Sequence, residues 1–252
     1  MALAGKHAFV TGGGRGIGRA VAAALARAGA AVTVIGRTEA PLREAVAAGE
    51  AAGCGVADVT DVVEVKRQVT AAEAARGPIA ILINNAGSVE SGPFIKADPS
   101  VFGAMWNVHL MGAVYATQAV LPGMIERGFG RIVNVASTAG LRGYAYISAY
   151  CAAKHALVGL TRALAAETAA RGVTVNAVCP GYTDTELVRD SIERVAAKTG
   201  RAQADVLAEY AKDAPIGRLI RPEEVAAAVV YLCSPEAAAV TGTTLAIAGG
   251  EM

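Results

Sequence analysis

The run Thr11-Gly12-Gly13-Gly14-Arg15-Gly16-Ile17-Gly18 constrains this chain more than any other stretch. It follows the short apolar run His7 to Val10 directly and leads into Arg19-Ala20-Val21-Ala22, the start of a helical pattern. Strand, glycine turn and helix in that order let the backbone turn tightly and approach a pyrophosphate. Exposed N–H groups and the positive end of the helix dipole then stabilise the phosphate charge. Gly12, Gly14, Arg15, Gly16, Ile17 and Gly18 are therefore candidate cofactor residues. A purely structural glycine turn is the competing reading, and the motif needs its strand and helix context to count.

That context extends along the whole chain. Short β-branched runs recur at 7–10, 31–35, 55–58, 79–83, 131–135, 173–178 and 243–247. Helix-length segments rich in Ala, Leu and charge lie between them at 17–28, 40–52, 62–75, 99–127, 148–170 and 222–232. Such alternation predicts an α/β fold, a parallel sheet with helices on both faces, doubly wound by right-handed crossovers. Ligands of open sheets bind at the carboxyl ends of the strands, so the site is expected there. No repeat, linker or shift in composition divides residues 1–252, which predicts a single domain. The stretch 182–215, polar and helical between the sixth and seventh strands, reads as a lid over substrate.

Composition narrows the partners. The 23 Lys+Arg against 22 Asp+Glu leave a net charge of +1, which supports neither a nucleic-acid surface nor an acidic tail. With 54% hydrophobic and 18% charged residues the 252-residue chain has a sizeable core to bury. Charges such as Arg27, Arg37 and Glu224 interrupt the apolar stretches, so no membrane span is expected. Lys6 and the glycine loop stand where a secretory signal would continue, which predicts a cytoplasmic protein. Cys54, Cys151, Cys179 and Cys233 have neither metal-ligand spacing nor disulfide density and read as reduced thiols in apolar settings; no metal is expected.

The end of the second strand bears on cofactor choice. Val34-Ile35-Gly36-Arg37-Thr38 places Gly36 where an acid would hold the ribose hydroxyls of NAD, with Arg37 and Thr38 after it. A 2′-phosphate suits this pattern, and Arg15 is a second candidate for it through paired, charge-assisted bonds. NADP(H) is favoured over NAD(H). The chemistry is expected from Ser137 after the fifth strand and from Tyr150 and Lys154, whose i, i+4 spacing puts phenol and ammonium on one helical face. A phenol of pKa near ~10 is a poor base at neutral pH, and a nearby cation lowers that value. Lys154 is thus expected to tune Tyr150, which would exchange a proton with a substrate oxygen while Ser137 holds that oxygen.

In their observed order, Thr11-Gly12-x-x-x-Gly16-Ile17-Gly18, Asn84-Asn85-Ala86-Gly87, Ser137 with Tyr150-x-x-x-Lys154, and Pro180-Gly181 resemble the classical short-chain dehydrogenase/reductases over essentially the whole chain. The resemblance implies a single Rossmann-type domain with a seven-stranded parallel sheet, assembled as a homodimer or homotetramer. It implies that Ser137 stabilises the substrate oxygen, that Tyr150 is the acid/base, and that Lys154 tunes the phenol and binds the nicotinamide ribose. By the same resemblance Asp58 and Val59 lie by the adenine, Asn85 and Ala86 beside the cofactor, and Thr183 and Thr185 near the carboxamide, with Gly87, Pro180 and Gly181 also cofactor-binding. Two positions depart from the family. His109, in Val108-His109-Leu110-Met111-Gly112, replaces the fourth catalytic residue, an asparagine that holds a water linking the lysine to solvent. A modified relay and a packing role are both open to an imidazole. Ala248 stands where many relatives have an acid.

The segments 178–189 and 150–155 are similar to the 3-oxoacyl reductase and 3-hydroxybutyrate dehydrogenase branches, which implies a 3-oxoacyl thioester or a related hydrophobic ketone, or the corresponding secondary alcohol. Ala139 and Ile147 occupy positions where dehydrogenases of free 3-hydroxybutyrate carry polar groups. Leu141, Tyr144 and Tyr146 continue an apolar wall, and Arg142 reads as a solvent charge rather than a substrate anchor. The competing functions are an NAD(H)-dependent secondary-alcohol dehydrogenase and a nonenzymatic nucleotide sensor on the same fold.

Overall fold

A computed structural model describes residues 1–212 and 214–251; Asp213, inside the 182–215 segment, and Met252 lie outside the described residues. Strands β1 His7–Thr11, β2 Ala31–Gly36, β3 Gly53–Val56, β4 Ile79–Asn84, β5 Gly130–Val135, β6 Val173–Pro180 and β7 Thr244–Ile247 form one seven-stranded sheet. Their order is β3-β2-β1-β4-β5-β6-β7 and every pairing is parallel. The central strands β1, β4, β5 and β6 are buried along their whole length, as expected of strands covered on both faces.

Successive side chains along a strand face opposite ways, and the two cores follow from that alternation. On one face Val10, Val34, Ile83 and Val133 pack with Val21 and Leu25 of α1 (Gly16–Arg27), Leu42 of α2 (Glu39–Ala47) and residues 225–233. On the other, Phe9, Ile35, Leu82 and Ile132 meet Val65 and Val69 of α3 (Val62–Arg76) and, further along the chain, Ala116, Val120 and Met124. The order reverses between β1 and β4, so the ends of these strands open a crevice at the switch point, where open sheets bind ligands.

The segment expected as a single helix over 99–127 is α4 (Pro99–Trp106), a π-helical turn at Asn107–Met111 and α5 (Gly112–Glu126), continuous in space. This stretch corrects another expectation. Its 28 residues include an 18-residue window of mean hydropathy 1.3, which makes it long and apolar enough to cross a membrane, because no charge before Glu126 interrupts it. Here it packs against α3, β4 and α6 (Ser148–Thr168). A π turn inserts one residue into the helical register, so the side chains before and after it face different surroundings. His109 sits within that turn and points inward, 4% exposed.

Three further boundaries and settings differ from expectation. The second helix stops at Ala47 because Gly49 takes a positive φ of 71°, which a glycine adopts without a Cβ clash. The third strand ends at Val56, leaving Asp58 in the turn beyond it. Cys54 on that edge strand is exposed, unlike Cys151, Cys179 and Cys233, so the apolar setting expected for all four thiols holds for three. The 182–215 segment carries α7 (Glu186–Thr199) and α8 (Gln203–Lys212), joined to each other by Ile192, Ala196 and Val206. Helix α9 (Pro222–Cys233) returns the chain to the first core.

Candidate active site

The glycine loop is held from beneath by the end of β4. Thr11 Oγ1 accepts from the backbone N–H of Asn85 (2.9 Å) and of Ala86 (3.1 Å), and Asn85 Nδ2 donates to the carbonyls of Thr11 (3.0 Å) and Gly12 (3.2 Å). Asn85 therefore positions the loop with its side chain. Gly12 and Gly16 have positive φ values of 65° and 50°, and a Cβ on Gly12 would stand 2.9 Å from Ala86 Cα. Gly18 lies under the loop, and the first turn of α1 faces outward from it with no acidic residue. Gly12 and Gly13 spend their N–H groups on the Ile35 carbonyl (2.8 and 3.2 Å), so the part of the loop that fits a dinucleotide pyrophosphate is the start of α1, whose first-turn N–H groups have no intrahelical partner and carry the positive end of the dipole.

Above this loop runs a cleft of about 510 Å³. Gly12, Gly14, Arg15, Gly16 and Ile17 line one end, and Arg37 and Thr38 extend it past the tip of β2. Asn85, Ala86 and Gly87 form its floor, with His109, Ser137, Tyr150 and Lys154 beyond them. Pro180, Gly181, Thr183 and Thr185 close the other side. Sequence reasoning also missed lining residues: Ser88, and Glu186 and Leu187 at the start of α7. Asp58 and Val59 are not among the lining residues. The Asp58 carboxylate accepts from the Thr60 N–H and hydroxyl in its own turn, and Val59 packs against Gly112. Gly18 is likewise structural rather than lining.

Arg15 and Arg37 differ in their commitments. Arg15 is paired with Glu186 at 3.1 Å, but both side chains are about 60% exposed, and such pairs contribute only about 0–1 kcal/mol. That ion pair spans the cleft from the glycine loop to α7. Arg37 has no ion-pair partner among the described residues and lies exposed at the strand end.

Ser137 begins a short 3-10 turn after β5; its Oγ accepts from Ala139 N–H at 3.1 Å and reaches the Pro180 carbonyl at 3.5 Å. Tyr150 and Lys154 project from the first turns of α6, with Lys154 Nζ 5.5 Å from the phenol ring centre. The expectation that Lys154 lowers the Tyr150 pKa is corrected in this structure. Burial pushes the phenol up to about 12, and the neighbouring Ser137 hydroxyl only partly offsets it. The ammonium instead donates to the Val135 carbonyl at 2.7 Å, and burial brings it down to about 7.

His109 meets Tyr150 edge to face, ring centres 5.1 Å apart at 86°. Its Nε2 is 2.7 Å from the Ser88 carbonyl. A carbonyl only accepts, so Nε2 carries the proton. Burial first, and the Lys154 charge second, drive the imidazole down to about 3, which leaves it neutral across the physiological range. A stability effect follows. Below the ordinary histidine pKa of ~6.5 the unfolded chain takes up a proton that folded His109 refuses, so stability falls with pH, by about 1.4 kcal/mol per unit for one such group. Denaturant melts between pH 6.5 and 4.5 are expected to show a shallower decline for His109→Gln than for the parent, by about that slope. Parallel curves would mean that folded His109 protonates normally.

Arg142 is not simply a solvent charge. It donates to Glu251 at 2.9 Å and lies over the Tyr144 ring at 4.7 Å, while the Tyr144 hydroxyl also bonds the Glu251 carboxylate. The Glu251 side chain is 1% exposed, and sequence reading assigned it no role.

A parallel doubly wound sheet carrying this glycine cradle and a Ser, Tyr, Lys set in one cleft defines a nicotinamide-dependent oxidoreductase. The short chain dehydrogenase family profile matches residues 6–196, and the chain belongs to that family, whose members use NAD(P)(H) and act on CH–OH groups. It is 42% identical over 247 residues to 2-(S)-hydroxypropyl-CoM dehydrogenase 3 of Xanthobacter autotrophicus, covering 96% of this chain and 94% of that one. It is 40% identical to an acetoacetyl-CoA reductase of Shinella zoogloeoides over 254 residues, covering 98% of each. Among solved structures it superposes on an actinorhodin polyketide ketoreductase variant with NADPH at a TM-score of 0.94, with 36% identity, covering 98% of this chain and 97% of that one.

Proposed function

We propose that this oxidoreductase uses NADP(H) to interconvert a 3-oxoacyl thioester, or a related hydrophobic ketone, and its secondary alcohol. The observation that carries the reading is one cleft holding Ser137, Tyr150 and Lys154 at one end and the unpaired Arg37 at the other. The reductase relatives and the NADPH in the ketoreductase structure support it.

The bound dinucleotide supplies the hydride. Arg37 and Thr38 face the place of a 2′-phosphate, and Arg15 reaches the same region if it leaves Glu186, a small cost at that exposure. Ser137 orients the substrate oxygen. Tyr150, with a phenol pushed up to about 12, is fully protonated at neutral pH and therefore set to donate its proton to a carbonyl oxygen. Lys154, anchored by the Val135 carbonyl, keeps two further N–H donors and lines the cleft. The segment 182–215, whose Thr183, Thr185 to Val188 and Asp190 border the cleft, acts as the lid. Action in the cytoplasm by a homodimer or homotetramer belongs to the same proposal and rests on the family resemblance.

The test is NADPH oxidation with 3-oxoacyl thioesters and with aryl and alkyl ketones, set beside the same panel with NADH. Turnover with NADPH on at least one 3-oxoacyl thioester is expected, and tight cofactor binding with no turnover on the panel would overturn the reading in favour of a sensor. Arg37→Asp is expected to weaken NADPH by about 10- to 100-fold, the worth of a charge-assisted phosphate contact, and to leave NADH little changed. Unchanged NADPH affinity would refute the 2′-phosphate assignment.

A further inference from the structure

Behind the floor of the cleft lies a second, much smaller cavity of about 10 Å³, the room that one water molecule needs. Asn84, His109, Lys154 and the side of Val59 are among its walls. Two buried polar atoms in the described residues that lack a hydrogen-bond partner, Asn84 Oδ1 and His109 Nδ1, belong to residues of this wall. Each side chain is otherwise committed. Asn84 Nδ2 donates to Asn134 Oδ1 at 2.9 Å and Thr117 Oγ1 at 3.3 Å, and His109 Nε2 donates to Ser88. The committed nitrogens settle what remains: Oδ1 and Nδ1 are both acceptors. The Lys154 ammonium has three N–H groups and places one on Val135.

We infer that these three groups hold a single buried water, which accepts from Lys154 Nζ and donates to Asn84 Oδ1 and His109 Nδ1. The count of donors and acceptors closes, and three polar partners are what a buried water ordinarily has. In the family the corresponding asparagine holds a water that connects the lysine to solvent. Here His109 is a fixed neutral acceptor in the wall of a water-sized cavity, and Asn84, outside the family's catalytic set, is the second acceptor. With both of its protons engaged, the water is a stronger acceptor for the ammonium and restores part of the solvation that burial removes from Lys154. His109 is thus a positioning residue that keeps Lys154 charged at neutral pH. This consequence rests on the oxidoreductase reading above, whereas the water site does not.

The other titratable groups around Lys154 and His109 are Tyr150 and Cys151 on α6 and Cys179 on β6. Burial raises Tyr150 and Cys179, and no carboxylate is among the groups acting on either side chain. The first arm of the test is a crystal structure of the full chain at a resolution that shows ordered waters. A water within hydrogen-bond distance of Asn84 Oδ1, His109 Nδ1 and Lys154 Nζ is expected. A cavity without density, in a map that shows other buried waters, overturns the proposal whatever the enzyme turns over. The second arm is the pH profile of kcat for His109→Gln, whose amide still donates to Ser88 but leaves no acceptor at the Nδ1 place, and for His109→Phe. The limb assigned to Lys154 deprotonation is expected to move about one unit toward acid in both variants. A uniform drop in kcat with an unmoved limb marks a packing role only and refutes the tuning. Absence of turnover in the parent enzyme sinks the oxidoreductase reading while leaving the crystallographic arm decisive for the water.

Discussion

Tyr150→Phe is expected to reduce kcat with a 3-oxoacyl thioester by about 10²–10⁴-fold, the usual worth of a positioned general acid, with cofactor affinity nearly unchanged. The substitution deletes one oxygen and keeps the ring, which is half-buried and packed edge to face on His109. Lys154 keeps its anchor on Val135, and Ser137 keeps its bond from Ala139, so the cleft retains its shape. The loss then reports the proton alone. Because burial holds the phenol near 12, the rate of reduction by the parent enzyme should not fall through Tyr150 deprotonation anywhere below about pH 10. Steady-state kinetics of the variant beside NADPH titration by fluorescence provides the check. Turnover within twofold of the parent would remove Tyr150 from the chemistry and with it the proposed mechanism.

What could be read from the chain alone divides by distance along it. The glycine loop, the alternation of strands and helices and the Tyr150, Lys154 spacing are local patterns, and backbone geometry converts each directly into structure. Contacts between remote residues are another matter. Arg142 and Glu251 are 109 positions apart, and no periodicity links them, so the arginine read as a solvent charge while it closes over a buried carboxylate. Arg15 meets Glu186 across 171 positions for the same reason. The sign of the Tyr150 shift was missed because spacing reveals the nearby cation but not the desolvation, which is the larger influence here. The π turn at Asn107–Met111 leaves no compositional mark either, yet it carries His109 inward to the Ser88 carbonyl.

Gly18→Ala tests whether the loop is a cradle or an ordinary turn, and its expected effect is large. A Cβ at this position would stand 2.2 Å from the Gly12 carbonyl oxygen and 2.4 Å from Asn85 Nδ2. Neither neighbour can yield cheaply. The carbonyl is backbone of the phosphate loop, and the amide is the group that bonds Thr11 and Gly12. The first turn of α1 must move outward, unseating Val21 and Leu25 from a face where both are fully buried. Overpacking of this kind costs about 3 kcal/mol, which for a chain of this size lowers Tm by about 6–12 °C. Gly159→Ala is the matched control: it lies exposed within α6 with nothing inside 4 Å of its Cβ position, so the helix should gain up to about 1 kcal/mol. Calorimetry on the two variants is expected to give shifts of opposite sign, and cofactor binding should be lost only in Gly18→Ala. If both variants melt with the parent, the loop has room that the close approach of Gly18 to Gly12 denies it, and the pyrophosphate cradle argued from that approach fails.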